Sequence, residues 1–164
     1  MLLKKEYAYD HSRDSQTVSS ENGNLHTLIN DTESIIYQYK IDGKKGDVPK
    51  PVYISGTPGE RCDYALEVIP KGQKARLYVI ELKGSDLRKA ISQIESTIDL
   101  FKTDINKFPG YNPEKYDLYP RVVIHRVNTH SISPSDKRRI KTRFPMFVVK
   151  TKHLEESITK PARA

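Results

Sequence analysis

The sequence predicts an α/β fold in which a mixed central β-sheet of about four to five strands is flanked by helices. Two observations support this prediction. Runs of β-branched and aromatic residues recur along the chain, and residues that favour turns bound them. A long stretch between two of these runs has apolar residues at three- and four-residue steps, which is typical of an amphipathic helix. Strands that are connected by crossover helices form a mixed sheet with helices on its faces.

The first quarter of the chain is predicted to contain a loose arm, a short helix and one strand. Residues 1–22 are polar and show no clear periodicity, which indicates an arm without regular structure. Residues 24–33 carry an approximately helical apolar stripe, so we expect a short helix there. Residues 35–41 are β-branched and aromatic and end at an Asp-Gly turn, which predicts the first strand.

The middle of the chain is predicted to form two strands and a long helix. The second strand spans about residues 61–69, and a Pro-Lys-Gly-Gln turn leads into the third strand at about residues 75–83. Ser85 or Asp86 can cap the helix that follows. The apolar positions of this helix fall on one stripe, at Leu87, Ala90, Ile91, Ile94, Ile98, Phe101 and Ile105.

The last third of the chain is predicted to alternate between loop, strand and helix. Residues 107–119 are rich in Pro, Gly and Asn and indicate an ordered loop. Residues 121–127 predict a fourth strand, residues 133–142 a short basic helix, and residues 144–150 a fifth strand. The tail at residues 155–164 is expected to fray.

Length and composition favour a single domain at residues 23–154. The chain has 164 residues, which is long enough for one hydrophobic core and short for two. It is polar, with 36% hydrophobic and 30% charged residues, but its ten tyrosines argue against wholesale disorder. The first residues do not have the pattern of a signal peptide or a membrane span, so we expect neither there. The single cysteine, Cys62, fits a reducing compartment, so we expect a cytoplasmic protein without membrane contacts.

The charge of the chain favours a polyanionic partner. The formal net charge is +7 and the isoelectric point is near 9.4, which promotes association with nucleic acid. Five cations are concentrated in the predicted basic helix, and a phosphate-binding helix is one interpretation of them. A solvated helix face is the other interpretation, and the two have similar weight. These cations are Lys137, Arg138, Arg139, Lys141 and Arg143.

One group of charged residues indicates chemistry. Asp63 enters an apolar run, and Glu81 and Lys83 leave another, although a carboxylate in a half-buried strand is tolerated only when it is paired or bound to a cation. Residues two apart in a strand share a face, so Glu81 and Lys83 are neighbours there. Two carboxylates from adjacent strands suit Mg²⁺ or Mn²⁺, and the carbonyl of Leu82 could add a backbone ligand. A surface ion pair on a wet strand face is the alternative interpretation.

An Asp on one strand and Glu-x-Lys on the next, followed by an amphipathic helix, resembles the PD-(D/E)xK nuclease superfamily. Seventeen residues separate Asp63 from Glu81, and Cys62 stands where the proline of the motif would be. The resemblance implies a restriction-endonuclease-like αβββαβ core and a metal-dependent endonuclease. Asp63 and Glu81 would bind the metal, and Lys83 would position or deprotonate the attacking water.

The resemblance also implies two weaker candidates near the metal. Gln93 lies on the predicted long helix and would point back toward the strand ends, and a solvent-facing glutamine is the alternative interpretation. Glu33, or its rival Glu21, would supply a further carboxylate from the first helix. These assignments make Gln93 a candidate catalytic residue and Glu33 a candidate metal ligand.

Several other functions are disfavoured by the sequence. The five histidines show no zinc-binding spacing with one another or with the cysteine, and no glycine-rich phosphate loop is present. DNA is favoured over RNA as the partner, and a homodimer or a protein partner is also possible. The alternative function is a catalytically inactive nuclease-like module that binds nucleic acid or a protein.

Overall fold

A six-stranded mixed sheet forms the centre of the protein in the computed structural model, which describes residues 1–126 and 132–163. In chain order the described elements are a 3₁₀ turn (Lys5–Tyr7), β1 (Ala8–Asp10), β2 (Gln16–Glu21), β3 (Asn24–Ile29), β4 (Ile35–Lys40), β5 (Asp42–Gly43), β6 (Tyr53–Ile54), β7 (Tyr64–Ile69), β8 (Ala75–Lys83), α1 (Leu87–Thr103), β9 (Tyr116–Ile124), α2 (Pro134–Arg143), β10 (Val148–Thr151) and β11 (His153–Ser157). The central sheet has the order β1-β4-β7-β8-β9-β10. Its strands are antiparallel from β1 to β8 and parallel from β8 to β10. The predicted α/β class and mixed sheet are therefore confirmed, although the sheet has six strands and not four to five.

Both described α-helices pack on one face of this sheet. Helix α1 begins after Asp86, whose side chain accepts a hydrogen bond from the backbone N–H of Lys89. Its apolar stripe is buried against residues of β7, β8 and β9. Ile140 of α2 and Phe144, the residue after α2, belong to the same apolar cluster. The predicted long helix is confirmed, but it ends at Thr103, and Ile105 is 69% exposed instead of buried.

The opposite face of the sheet is covered by a smaller sheet in the order β11-β3-β2. This second layer is made of strands. The prediction that helices flank the sheet therefore holds for one face only. The predicted helix at residues 24–33 is wrong, since β3 occupies residues 24–29. Asn22 and Gly23 have positive φ values of 51° and 75° and join β2 to β3 as a hairpin. An Asn-Gly pair is a strong hairpin signal, and it outweighs the weak helical stripe.

The predicted loose arm is also part of the fold. Leu2 and Leu3 are buried in the core, β1 pairs with β4, and β2 pairs with β3. The polarity of this segment hid its structure, because the side chains that β2 buries include Thr17 and Ser19. At the other end, the predicted frayed tail contains most of β11, which pairs in parallel with β3 and buries Leu154.

The remaining strands differ from the predictions mainly in their bounds. Strand β8 matches its predicted range, whereas β7 is shorter and begins at Tyr64. Strand β9 begins at Tyr116, within the predicted loop, and includes Pro120, which pairs with Val79 of β8. The predicted end of this strand, Val127, lies outside the described residues. None of the described helices is long and apolar enough to cross a membrane.

Candidate functional site

The ends of three neighbouring strands meet at one end of the central sheet. Lys40 is the last residue of β4 and pairs with Tyr64, the first residue of β7, which in turn pairs with Ile80 of β8. The regular pairing of β7 with β8 ends at Tyr64 and Ile80. The N–H of the preceding residue, Asp63, also donates to the carbonyl of Ile80, at 3.1 Å, and this bond keeps Asp63 beside the end of β8 that carries Glu81. The two predicted carboxylates therefore belong to adjacent strands at the same edge.

The side chain of Asp63 is held against the backbone of β8. Its Oδ2 accepts a hydrogen bond from the N–H of Leu82 at 2.8 Å. In an extended strand, the N–H and the C=O of one residue point toward the same neighbouring strand. The carbonyl of Leu82 therefore faces the side on which Asp63 lies, as a backbone ligand would. Burial raises the pKa of Asp63, although the Leu82 hydrogen bond and Lys40 oppose this effect.

Glu81 is a buried carboxylate with incomplete hydrogen bonding. Its side chain is 1% exposed, and Oε2 has no hydrogen-bond partner among the described residues. The other oxygen, Oε1, lies 3.6 Å from Nζ of the half-buried Lys83. Burial, followed by the charge of Asp63, raises the pKa of Glu81 well above its ordinary value. A cation on the Oε2 side would stabilise the ionised form of this carboxylate.

These residues fit a hard divalent cation with few protein ligands. The unpartnered Oε2 of Glu81, a carboxylate oxygen of Asp63 and the carbonyl of Leu82 are all oxygen donors, which Mg²⁺ prefers. Mg²⁺ retains several waters and is commonly bound by one or two carboxylates. Within residues 1–126 and 132–163, no group of three or more His, Cys, Asp or Glu side chains is placed to hold a metal. The donor set therefore suits a partly hydrated ion and not an all-protein metal cage.

Gln93 points from α1 toward the start of β7, as predicted, but its contact is structural. Its Nε2 donates to the carbonyl of Arg61 at 2.7 Å, and its buried Oε1 has no described partner. One turn further along the helix, the hydroxyl of Thr97 accepts from the N–H of Cys62 at 2.8 Å. These two side chains fix the segment that leads into Asp63. Gln93 thus contacts the backbone of the segment that precedes Asp63.

The two candidates for a further carboxylate lie at opposite ends of β4. Glu33 is exposed in the turn that precedes β4, whereas the site is at the end where β4 finishes. Glu21 is the last residue of β2, and its Oε2 lies 2.8 Å from Nζ of Lys40. Glu21 and Asp63 also line the same cavity of about 180 Å³. The structure brings Glu21 into the site, from a strand and not from a helix, and leaves Glu33 far from it.

Two site residues were missed by the sequence analysis. Lys40 is only 5% exposed, and its Nζ lies 4.1 Å from the ring centroid of Tyr64. Asp42 follows it and lines the same cavity as Asp63. Burial raises the pKa of Asp42, and its Oδ1 has no described hydrogen-bond partner. Lys40 ends an apolar strand just as Lys83 does, so the same criterion could have identified it.

The predicted basic helix divides into two groups of cations. Arg139 binds Glu95 of α1 at 2.6 Å, and Arg143 binds Glu95 and Asp99 at 3.1 and 2.8 Å. These two arginines attach α2 to α1. The other three cations are exposed and form no ion pair with a described residue, namely Lys137, Arg138 and Lys141.

No family model, no curated protein and no solved structure matches this chain. The resemblance to the PD-(D/E)xK nucleases therefore rests on the three side chains of the motif and on the order of the elements around them.

Proposed function

We propose that this protein is a divalent-metal-dependent endonuclease that hydrolyses phosphodiester bonds of nucleic acid, with DNA favoured over RNA. One observation carries the proposal. Asp63 and Glu81 converge from adjacent strands, and Lys83 lies 3.6 Å from a Glu81 carboxylate that is buried and only half satisfied. A buried carboxyl group with incomplete hydrogen bonding costs stability, so a role in binding or catalysis is the simplest reason for its presence.

The order of the elements supports a restriction-endonuclease-like core. Strands β4, β7 and β8 form an antiparallel meander, α1 follows, and β9 then pairs in parallel with β8. This order corresponds to the βββαβ part of the expected αβββαβ core. In this comparison the β2–β3 hairpin would stand where the core has its first helix, and Glu21 would provide the carboxylate that the helix supplies.

In the proposed mechanism, each residue has one task. Asp63, Glu81 and the Leu82 carbonyl would hold Mg²⁺ or Mn²⁺, which supplies Lewis acidity and lowers the pKa of a nearby water. Lys83 stands beside Glu81, where its ammonium can hold a phosphate oxygen or its amine can accept a proton from the attacking water. Gln93 and Thr97 keep the Asp63 segment in register with β8.

The test is cleavage together with metal binding. We expect the protein to cut plasmid, linear DNA or RNA when Mg²⁺ or Mn²⁺ is added, and not in EDTA. Asp63→Asn and Glu81→Ala should lose both cleavage and the calorimetric heat of Mn²⁺ binding. Glu33→Gln is the matched control, because it removes an exposed carboxylate at the opposite end of β4. Folded protein that binds metal and cuts none of these substrates would contradict the proposal.

A second candidate function is a nuclease-like module that binds nucleic acid or a protein without cutting it. It is favoured by the fact that Asp63 already accepts the Leu82 N–H and Glu81 is already near Lys83. These contacts partly satisfy the carboxylates without any metal. Calorimetry separates the two candidates, since an inactive module would give no Mn²⁺-binding heat while still binding its partner.

A further inference from the structure

Gly84 is the one glycine of the chain whose lack of a side chain is explained neither by backbone conformation nor by packing. Five of the eight glycines have a positive φ, which favours glycine, namely Gly23, Gly46, Gly56, Gly59 and Gly72. A side chain at Gly43 or Gly110 would collide with neighbouring atoms of the protein. Gly84 has no positive φ, and a Cβ placed on it would meet nothing within 4 Å. No atom of the described chain therefore requires this position to lack a side chain.

Gly84 lies directly beside the candidate site, in a groove open to solvent. It follows Lys83 at the end of β8, and its carbonyl accepts the N–H of His125 at 2.8 Å. The groove has a volume of about 460 Å³ and is lined by Asn22, Gly84, Ser85, His125 and Arg126. All five are exposed. The groove thus brings together the ends of β8 and β9 with the tip of the β2–β3 hairpin.

The charges of this groove suit an anion. None of the five residues that line it is a carboxylate, and Arg126 forms no ion pair with another described residue. The adjacent cavity of about 180 Å³ is different, since four carboxylates line it beside two lysines, namely Glu21, Asp42, Asp47 and Asp63 with Lys40 and Lys44. As long as this cavity holds no metal ion, a phosphate is attracted more strongly to the groove at Arg126.

We propose that the phosphate backbone of the nucleic acid substrate lies in the groove of Asn22, Gly84, Ser85, His125 and Arg126 and contacts the bare main chain of Gly84. Glycine permits a close approach of a ligand to the protein backbone, which a side chain would prevent. Arg126 binds one phosphate at the edge of the groove, and the nucleic-acid strand continues from there to Lys83. This inference rests on the proposed nucleic-acid substrate and names the surface that binds it.

The experiment measures binding without cleavage. A short fluorescein-labelled DNA duplex and its single strand are titrated with protein in EDTA, and fluorescence anisotropy is followed over a range of KCl concentrations. Gly84→Leu should weaken binding by about tenfold, the order of one lost backbone contact, without lowering Tm. Arg126→Gln should reduce the slope of log K against log salt by about 1. Gly84→Ala tests the same position with the smallest possible side chain, in case Gly84→Leu is unstable.

Two matched controls keep the result specific to the groove. Thr103→Leu adds an apolar side chain at an exposed position at the far end of α1, and Lys71→Gln removes a cation in the turn at the opposite end of β8. Neither should change affinity by as much as the groove variants do. If Gly84→Leu and Arg126→Gln bind like the parent, or if the parent binds neither probe, the groove proposal is wrong.

The two proposals can fail separately. Binding that depends on Gly84 and Arg126, in a protein that never cuts, would support the groove and contradict the nuclease. Cleavage that depends on Asp63 and Glu81 but is unchanged by Gly84→Leu and Arg126→Gln would support the nuclease and overturn the groove.

Discussion

Nζ of Lys83 lies 3.6 Å from Oε1 of Glu81, while Oε2 of the same carboxylate has no hydrogen-bond partner among the described residues. The ammonium therefore satisfies one side of the carboxylate and leaves the other side for a cation. This division makes the roles of the two residues separable by mutation.

Lys83→Ala should keep the fold and most of the Mg²⁺ affinity, because its neighbours Asp63 and Glu81 remain. Cleavage should fall by about a hundredfold or more, the usual contribution of a positioned proton-transfer group. Lys83→Arg should not restore cleavage, since a guanidinium stays protonated and has a different shape. Single-turnover cleavage at saturating Mg²⁺ measures this effect, and Lys89→Ala on the exposed side of α1 is the control. Cleavage by Lys83→Ala at the parental rate would favour a plain surface ion pair.

Glu81→Gln should stabilise the protein when no metal is present, by about 1–2 kcal/mol. The pKa of Glu81 is raised in the folded state, so stability is lost as the pH rises from the ordinary carboxyl range through the raised value. Glutamine carries no charge and avoids this loss, so its advantage should grow with pH. Urea unfolding in EDTA at several pH values measures it. A variant that is less stable than the parent at alkaline pH would mean that Glu81 is fully compensated by Lys83.

Neutralising Lys137, Arg138 and Lys141 together should lower DNA affinity if α2 lies along the substrate. The slope of log K against log salt should then decrease by roughly 2 to 3, at about 0.9 for each phosphate contact. Arg139→Gln with Arg143→Gln should act differently, because these two arginines bind Glu95 and Asp99 of α1 and so affect the docking of α2. An unchanged slope in the triple variant would make α2 a solvated helix that takes no part in binding.

The buried cluster around Glu156 should make the protein sensitive to acid. Burial alone would raise the pKa of Glu156, but hydrogen bonds from Arg121 and His26 lower it to about 2. Because the folded pKa lies below the unfolded value, this contribution is complete above about pH 4.5 and is lost as the pH falls toward 2. The amount is on the order of 3 kcal/mol. Thermal unfolding between pH 2 and pH 7 measures it.

The matched pair of variants for this cluster is Glu156→Gln and Glu155→Gln. Glu156→Gln leaves the fully buried Arg121 without its carboxylate, which should cost about 3–5 kcal/mol at neutral pH and much less near pH 2. Glu155 is exposed on the same strand, so its replacement should have little effect. Equal stabilities for the two variants at neutral pH would show that the backbone carbonyls of Pro120, Met146 and Ala162 are enough to satisfy Arg121.

The three motif residues were predictable because their placement depends on local rules. Residues two apart in a strand share a face, so the Glu81–Lys83 pair followed from the assignment of β8. The placement of Lys40 and Glu21 was harder to predict, since their contact depends on how β4 and the β2–β3 hairpin pack together. Their 19-residue separation in sequence gives no periodic signal.

The largest errors of the sequence analysis concern the second layer. Strands β2 and β3 bury polar side chains such as Ser19 and His26, so their inward faces do not look apolar. Hydrophobic periodicity reports burial only when the buried side chains are hydrophobic. The Asn22-Gly23 turn was the available signal for the hairpin, and it was local and unambiguous.

The parallel pairing of β3 with β11 has a consequence for how the chain folds during synthesis. His26 and Glu156 are hydrogen-bonded across 130 positions of the sequence, so the second layer joins two distant segments. The meander of β4, β7 and β8 is built from near neighbours and can form while later residues are still being made. The second layer is complete only after β11 has left the ribosome, because β11 is the parallel partner of β3. Until then the apolar cluster around Leu28 lacks Leu154 and Ile158, which belong to it in the folded protein.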